Sequence, residues 1–208
     1  MRLAVIDMEG VLLDGEYLPE LSKIIGKEKE VWDITLKGIR GEINWEEGLK
    51  QRVELLKGVK YEDALKIAKK IPLMKNAKKF CKRLKELGFK IVMLTGGFTI
   101  VAERIKKKLG LDYIISNELI FKDGKLVGVK LNVTDKAKAF FEHFGKVDGE
   151  IVAIVDGAND LELFKIAKFR IAFNAQPIVK KQADFVVDGK DLADLIPVIE
   201  KLFVSQKQ

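Results

Sequence analysis

Leu3-Ala4-Val5-Ile6-Asp7-Met8-Glu9-Gly10-Val11 runs four apolar residues straight into a carboxylate, with a second carboxylate two positions on and a glycine after it. An apolar run so short reads as a strand buried on both faces, the kind that lies inside parallel sheets. In an open parallel sheet, ligands sit outside the carboxyl ends of the strands. Asp7 is therefore expected at a site, with Glu9 within reach of the same space. Gly10 permits close backbone approach or a positive φ. Taken alone, the segment also reads as a strand end followed by a polar turn.

The same grammar recurs outward from it. Ile91–Leu94, Ile151–Val155, Ile171–Phe173 and Phe185–Val187 are further short apolar runs, and amphipathic stretches such as Phe80-Leu84-Leu87 and Ile100-Ile105-Leu109 separate them. Strands alternating with helices predict an α/β core of three layers, a parallel sheet covered on both faces. Gly88 and Gly110 stand where helix C-caps want a left-handed residue, and Asp123-Gly124 inside Phe121–Leu126 signals a tight hairpin. Residues 14–72 break the alternation. They carry only helical pattern (Leu18–Ile25, Glu28–Ile39, Trp45–Leu56, Tyr61–Lys70), far longer than an ordinary crossover. The economical reading is a helical insertion above the carboxyl edge of the sheet.

Two other strand ends carry chemistry. Leu94-Thr95-Gly96-Gly97 leads toward a helix, so a hydroxyl, backbone N–H groups and a positive dipole end are expected together, a set suited to a phosphate oxygen. Thr95 also reads as a plain helix cap. Asp156-Gly157-Ala158-Asn159-Asp160 follows the strand Ile151–Val155 with a high density of oxygen ligands. Asp156 with Asp7 would make a hard oxygen site for Mg²⁺; the alternative is a helix cap with Asp160 in the first turn.

Composition bounds the rest. The chain has 208 residues, 48% hydrophobic and 33% charged, with twelve Phe, which excludes the disordered class. No run approaches a membrane span, and the apolar start is too short for a signal segment. One Cys excludes an internal disulfide, and the expectation is a cytoplasmic protein. The net charge of +7 raises nucleic acid as a partner. However, the lysine clusters (Lys78, Lys79, Lys82, Lys85 and Lys106–Lys108) fall between periodic apolar residues and read as solvated helix faces, so neither a nucleic-acid nor a membrane partner is expected. The polar tail Ser205–Gln208 is expected to fray.

Together, Asp7-Met8-Glu9-Gly10, Thr95 and Val155-Asp156-Gly157-Ala158-Asn159-Asp160 resemble the motifs of the haloacid dehalogenase superfamily of aspartyl-phosphate phosphatases. Within it, Gly41-Glu42-Ile43-Asn44-Trp45, Leu49–Val53, Thr95-Gly96-Gly97-Phe98 and Lys122–Leu126 are most similar to phosphoserine phosphatases. The resemblance implies a Rossmann-like catalytic core over 1–13 and 73–208, with a helical cap domain over 14–72. It also implies an Mg²⁺-dependent phosphomonoesterase taking a small-molecule substrate and serving serine biosynthesis.

The roles implied are Asp7 as nucleophile and Glu9 as general acid and base, with metal held by Asp7, Asp156 and the backbone of Glu9. Phosphate would be bound by Thr95, Gly96, Lys136 and Asn159, and substrate by Glu16, Trp45 and Arg52, with Asp160 behind them. Two residues depart from the pattern: Glu9 replaces a second Asp, and Val155 replaces a Gly. They leave open another small phosphomonoester, or transfer to an alcohol. Lys138 competes with Lys136 as the motif lysine; the apolar residues four and five positions later favour Lys136.

Overall fold

The computed structural model describes residues 1–203, so the tail Ser205–Gln208 lies outside the described residues. The chain forms β1 (Arg2–Ile6), α1 (Tyr17–Ser22) with a 3₁₀ turn (Lys23–Ile25), α2 (Glu28–Arg40), α3 (Trp45–Leu55), α4 (Tyr61–Lys70) and α5 (Ala77–Glu86). Then come β2 (Phe89–Phe98), α6 (Thr99–Leu109), the β3 (Tyr113–Lys122) and β4 (Lys125–Lys130) hairpin, and α7 (Lys136–Phe144). The last third holds β5 (Glu150–Val155), a 3₁₀ turn (Ala158–Asp160), α8 (Leu161–Phe164), β6 (Phe169–Phe173), α9 (Pro177–Lys180), β7 (Phe185–Val187) and α10 (Ile196–Phe203).

One seven-stranded sheet runs in the order β4-β3-β2-β1-β5-β6-β7. Every pairing is parallel except β3 with β4, whose turn at Asp123 (φ 50°) and Gly124 (φ 72°) has the left-handed pair that a primed hairpin needs. Alternation along β1 builds two cores. Ala4 and Ile6 pack with Phe80, Ile91 and Val101 on one face, while Leu3 and Val5 pack with Leu94, Phe140 and Ile151 on the other. The chain order reverses at β1, so its carboxyl end opens into the crevice where such sheets take ligands.

The lysines of α5 lie on its solvent side, with Ala77, Phe80, Cys81 and Leu84 buried beneath. Among the described residues no helix is long and apolar enough to cross a membrane.

Between β1 and Pro72 there are only helices, and the two chain crossings into that segment lie side by side. Leu13 bridges Leu73, and the Asp14 amide donates to the Pro72 carbonyl at 3.0 Å. Arg104 on α6 spans the second crossing, donating to the carbonyls of Lys69 (2.7 Å) and Ile71 (2.6 Å). Farther out, the α3–α4 loop docks on the hairpin tip through backbone bonds. Gly58 donates to the Leu126 carbonyl, Leu126 to that of Val59 and Tyr61 to that of Gly124, all at 2.8–2.9 Å.

Candidate active site

β1 and β5 are adjacent and in register, so the loops that follow them start side by side. Asp7 and Asp156 emerge there, and Gly10 lets them converge. Its φ is 81°, and a Cβ on it would come within 2.0 Å of Asp156 Oδ2. Only glycine satisfies both demands. Carboxylate oxygens of Asp7, Asp156 and Asp160 lie within 4.8 Å of one another.

Lys136 opens α7, whose N-cap Asp135 accepts from the Lys138 amide, and its side chain is driven into this cluster. Its Nζ donates to Asp7 Oδ1 at 2.6 Å and also to Asp160. Lys138 points outward to Glu142, so the geometry selects Lys136. Asp160 is fully buried. Besides holding Lys136, it accepts from the Gly157 amide at 3.1 Å and from the Asn159 side chain, so the cap reading and the site reading of that residue are both realised.

Burial, and next the charge of Asp160, push the Asp7 carboxyl up to about 7 even though Lys136 opposes the shift. Asp156 is raised well above its ordinary range by burial and by Asp160 and Asp7. Burial alone would lower Lys136, but the charges of Asp160 and Asp7 outweigh it and hold the ammonium above its usual value. Three carboxylates, two buried and one half-buried, against one lysine leave an excess of negative charge. Hard oxygen donors with such an excess fit a divalent cation.

Glu9 lies half-buried beside them. Its Oε1 accepts from the Tyr17 amide at 2.6 Å, and Oε2 packs over Gly97, where a Cβ would come within 3.0 Å. Burial raises its pKa; the Tyr17 hydrogen bond and then Arg52 and Lys136 pull the other way. Tyr17 is itself pinned, its hydroxyl donating to the Ala64 carbonyl at 2.9 Å.

The expected helix N-terminus at Gly96-Gly97 is displaced. β2 continues to Phe98 with an irregular register, and α6 starts at Thr99. Thr95 is consequently not a helix cap; Phe98 holds that position. The Thr95 hydroxyl is buried and accepts from the Gly97 amide at 2.8 Å, which leaves its own proton free to donate.

The helices above supply the other wall. Glu16 precedes α1 and shares a cavity with Asp7, Glu9, Trp45, Thr95 and Asn159. Burial, then the charges of Glu9 and Asp156, raise its carboxyl well above the ordinary value. Asn44 caps α3 and places Trp45 at its first turn. Arg52, about two turns on, is 2% exposed and stacks 4.6 Å from the Trp45 ring. Its Nε donates to the Gly48 carbonyl and its Nη1 to Thr35 Oγ1, each at 3.1 Å. Among the described residues Glu16 and Arg52 form no ion pair, and Arg52 Nη2 has no partner.

Thr35, uncharged and mid-helix, carries no signal of this role in the sequence. The cavity measures about 20 Å³, room for little more than one water, so the helices sit closed over the strand ends.

A family model for haloacid dehalogenase-like hydrolases matches residues 1–168. Phosphoserine phosphatase of Methanocaldococcus jannaschii is 37% identical over 206 residues, covering 96% of this chain and 98% of that protein. A solved structure described as a phospho-aspartyl intermediate analogue of phosphoserine phosphatase superposes with a TM-score of 0.88 at 36% identity, covering 94% of this chain and 97% of the other. A substrate-bound phosphoserine phosphatase complex matches with the same score, identity and coverage. With its motif residues gathered at the strand ends and a match over most of its length, the chain belongs to the haloacid dehalogenase-like hydrolases.

Proposed function

We propose that the chain hydrolyses phosphoserine to serine and inorganic phosphate through an aspartyl-phosphate on Asp7, a step of serine biosynthesis. The observation that carries this reading is Asp7 held by Lys136 at the carboxyl end of β1, with Glu9 beside it and Glu16 facing the same cavity. The substrate named for the similar solved complex supports the choice of ester.

Lys136 engages Oδ1 of Asp7, which leaves Oδ2 to attack phosphorus. As the Oδ2–P bond forms, the bond from phosphorus to the seryl oxygen breaks. Glu9 protonates that oxygen, and Oε2 carries the proton because Oε1 is tied to Tyr17. Glu9 then takes a proton from water as water attacks phosphorus, freeing phosphate and restoring Asp7. Lys136, the Thr95 hydroxyl, the Gly96 amide and Asn159 receive the charge on the phosphoryl oxygens.

Mg²⁺ would be held by Asp7, Asp156 and the Glu9 carbonyl, and it supplies further neutralisation of that charge. Asp160 keeps Lys136 and the Gly157 turn in place. Glu16 pairs the substrate ammonium, and Arg52 Nη2 takes the carboxylate. Residues 14–72 act as the cap that opens to admit substrate. The single buried Cys81 suits a reducing, cytoplasmic setting.

The longer Glu9 favours one second reading, transfer of the phosphoryl group to an alcohol or use of another small ester. A phosphate-release panel of phosphomonoesters, with Mg²⁺ and with chelator, tests both. Phosphoserine is expected to lead and chelator to abolish release. A faster ester, or a phosphorylated alcohol accumulating in place of phosphate, selects the second reading.

A further inference from the structure

Trp45 packs its ring against two glycines. A Cβ on Gly38 would come within 2.8 Å of ring atom Cε3, and one on Gly96 within 2.5 Å of Nε1. The second contact lays the indole N–H on the backbone beside Thr95, at the corner assigned above to the phosphoryl group. That Nε1 is buried and has no acceptor among the described residues. Buried Trp N–H groups find partners as a rule, because leaving one unpaired is costly. Arg52 stacks over the ring face, 4.6 Å from its centroid, and so fixes the orientation in which the N–H is aimed. Trp45 lines the same cavity as Asp7, Thr95, Gly96 and Asn159.

We propose that Trp45 Nε1 donates a hydrogen bond to a phosphoryl oxygen of the bound ester. The inference rests on the phosphatase reading and deepens it: the cap contributes to the group being transferred as well as to the serine moiety. Arg52 lies over the ring face and Nε1 at the ring edge beside Thr95, so the two donors serve opposite ends of the substrate. The donor reaches the phosphoryl group only with the cap closed, which ties closure to the presence of the reacting group.

Trp45→Phe keeps an aromatic ring beneath Arg52 and removes the N–H. In the Mg²⁺-loaded enzyme, the inhibition constant of inorganic phosphate is expected to rise about ten- to a hundredfold, the loss of one hydrogen bond to a charged group. kcat/KM should fall by similar factors on phosphoserine and on p-nitrophenyl phosphate, since both carry the phosphoryl group. Independently of that variant's folding, Trp32→Phe leaves Trp45 as the only tryptophan, and inorganic phosphate should then change its fluorescence. Unchanged phosphate inhibition in a folded Trp45→Phe, or a Trp45 emission blind to phosphate, overturns the proposal while the phosphatase reading stands. A loss confined to phosphoserine hands the N–H to the carboxylate and also overturns it. A wild-type protein that releases no phosphate from any ester fails the underlying reading instead.

Discussion

Lys136 and Arg52 are both buried cations, one at the strand ends and one in the helices above them, and they are treated in opposite ways. Lys136 is shared between Asp7 and Asp160, and its ammonium is held above its ordinary pKa. Arg52 is lowered by burial against the pull of Glu16 and Glu9, and one of its nitrogens has no partner among the described residues. The side proposed above for the chemistry is assembled within the protein, whereas the side proposed for substrate selection keeps one guanidinium nitrogen unspent. A preformed catalytic wall costs no reorganisation at the moment of reaction. An unpaired selecting wall discriminates, because a molecule lacking the complementary group leaves those donors buried and unsatisfied.

The most severe way to break this contrast is at its catalytic end. Asp7→Asn should abolish phosphate release while the protein stays folded, since an amide does not attack phosphorus. Substantial turnover by the folded variant would sink the aspartyl-phosphate route. Lys136→Met should cost about 3–5 kcal/mol of stability, because two buried carboxylates lose their counter-charge. Denaturant unfolding in chelator measures this, and a change below about 1 kcal/mol would show that the pair is dispensable to the preformed wall.

At the selecting end the losses should depend on substrate. Arg52→Ala should lower kcat/KM for phosphoserine by about one and a half to three and a half decades, the worth of a desolvated charged pair. It should leave p-nitrophenyl phosphate far less affected; equal losses on both esters would make Arg52 a structural residue. The mildest test is Thr35→Val, which removes the oxygen that accepts from Arg52 Nη1 at 3.1 Å. KM for phosphoserine should rise roughly fivefold with kcat little changed, about the worth of one hydrogen bond, and Thr35→Ser should restore it. A fall in kcat on every ester would place Thr35 in general packing.

Much of the fold was legible because its signals are local. Apolar runs ending in Asp7 and Asp156 became β1 and β5, and the insertion helices fall within one residue of their expected bounds, save that the first changes to a 3₁₀ turn at Lys23. Asp123-Gly124 makes the turn its dihedrals favour. The misplaced helix start has a tertiary cause. Gly96-Gly97 read as a strand stop, yet Phe98 pairs with Asn117 and draws the glycines into β2. The docking of the α3–α4 loop on the hairpin tip is hydrogen-bonded through backbone groups, which leave no side-chain signature. At the site, residue type announced the carboxylates, the hydroxyl and the charge of Arg52. Which charges would find partners depended on contacts between distant elements, such as Thr35 with Arg52 across 17 residues.

The side-by-side chain crossings, with Leu13 bridging Leu73 and Asp14 bonded to Pro72, carry a consequence of another kind. A segment whose two ends lie one hydrogen bond apart interrupts its host no more than a tight turn does, and loop closure grows only slowly with the length enclosed. The sheet therefore keeps its register whatever is spliced in at that seam. On the function proposed above, reaction and selectivity would then be separately inheritable, since the insert could be exchanged without rebuilding the strand ends.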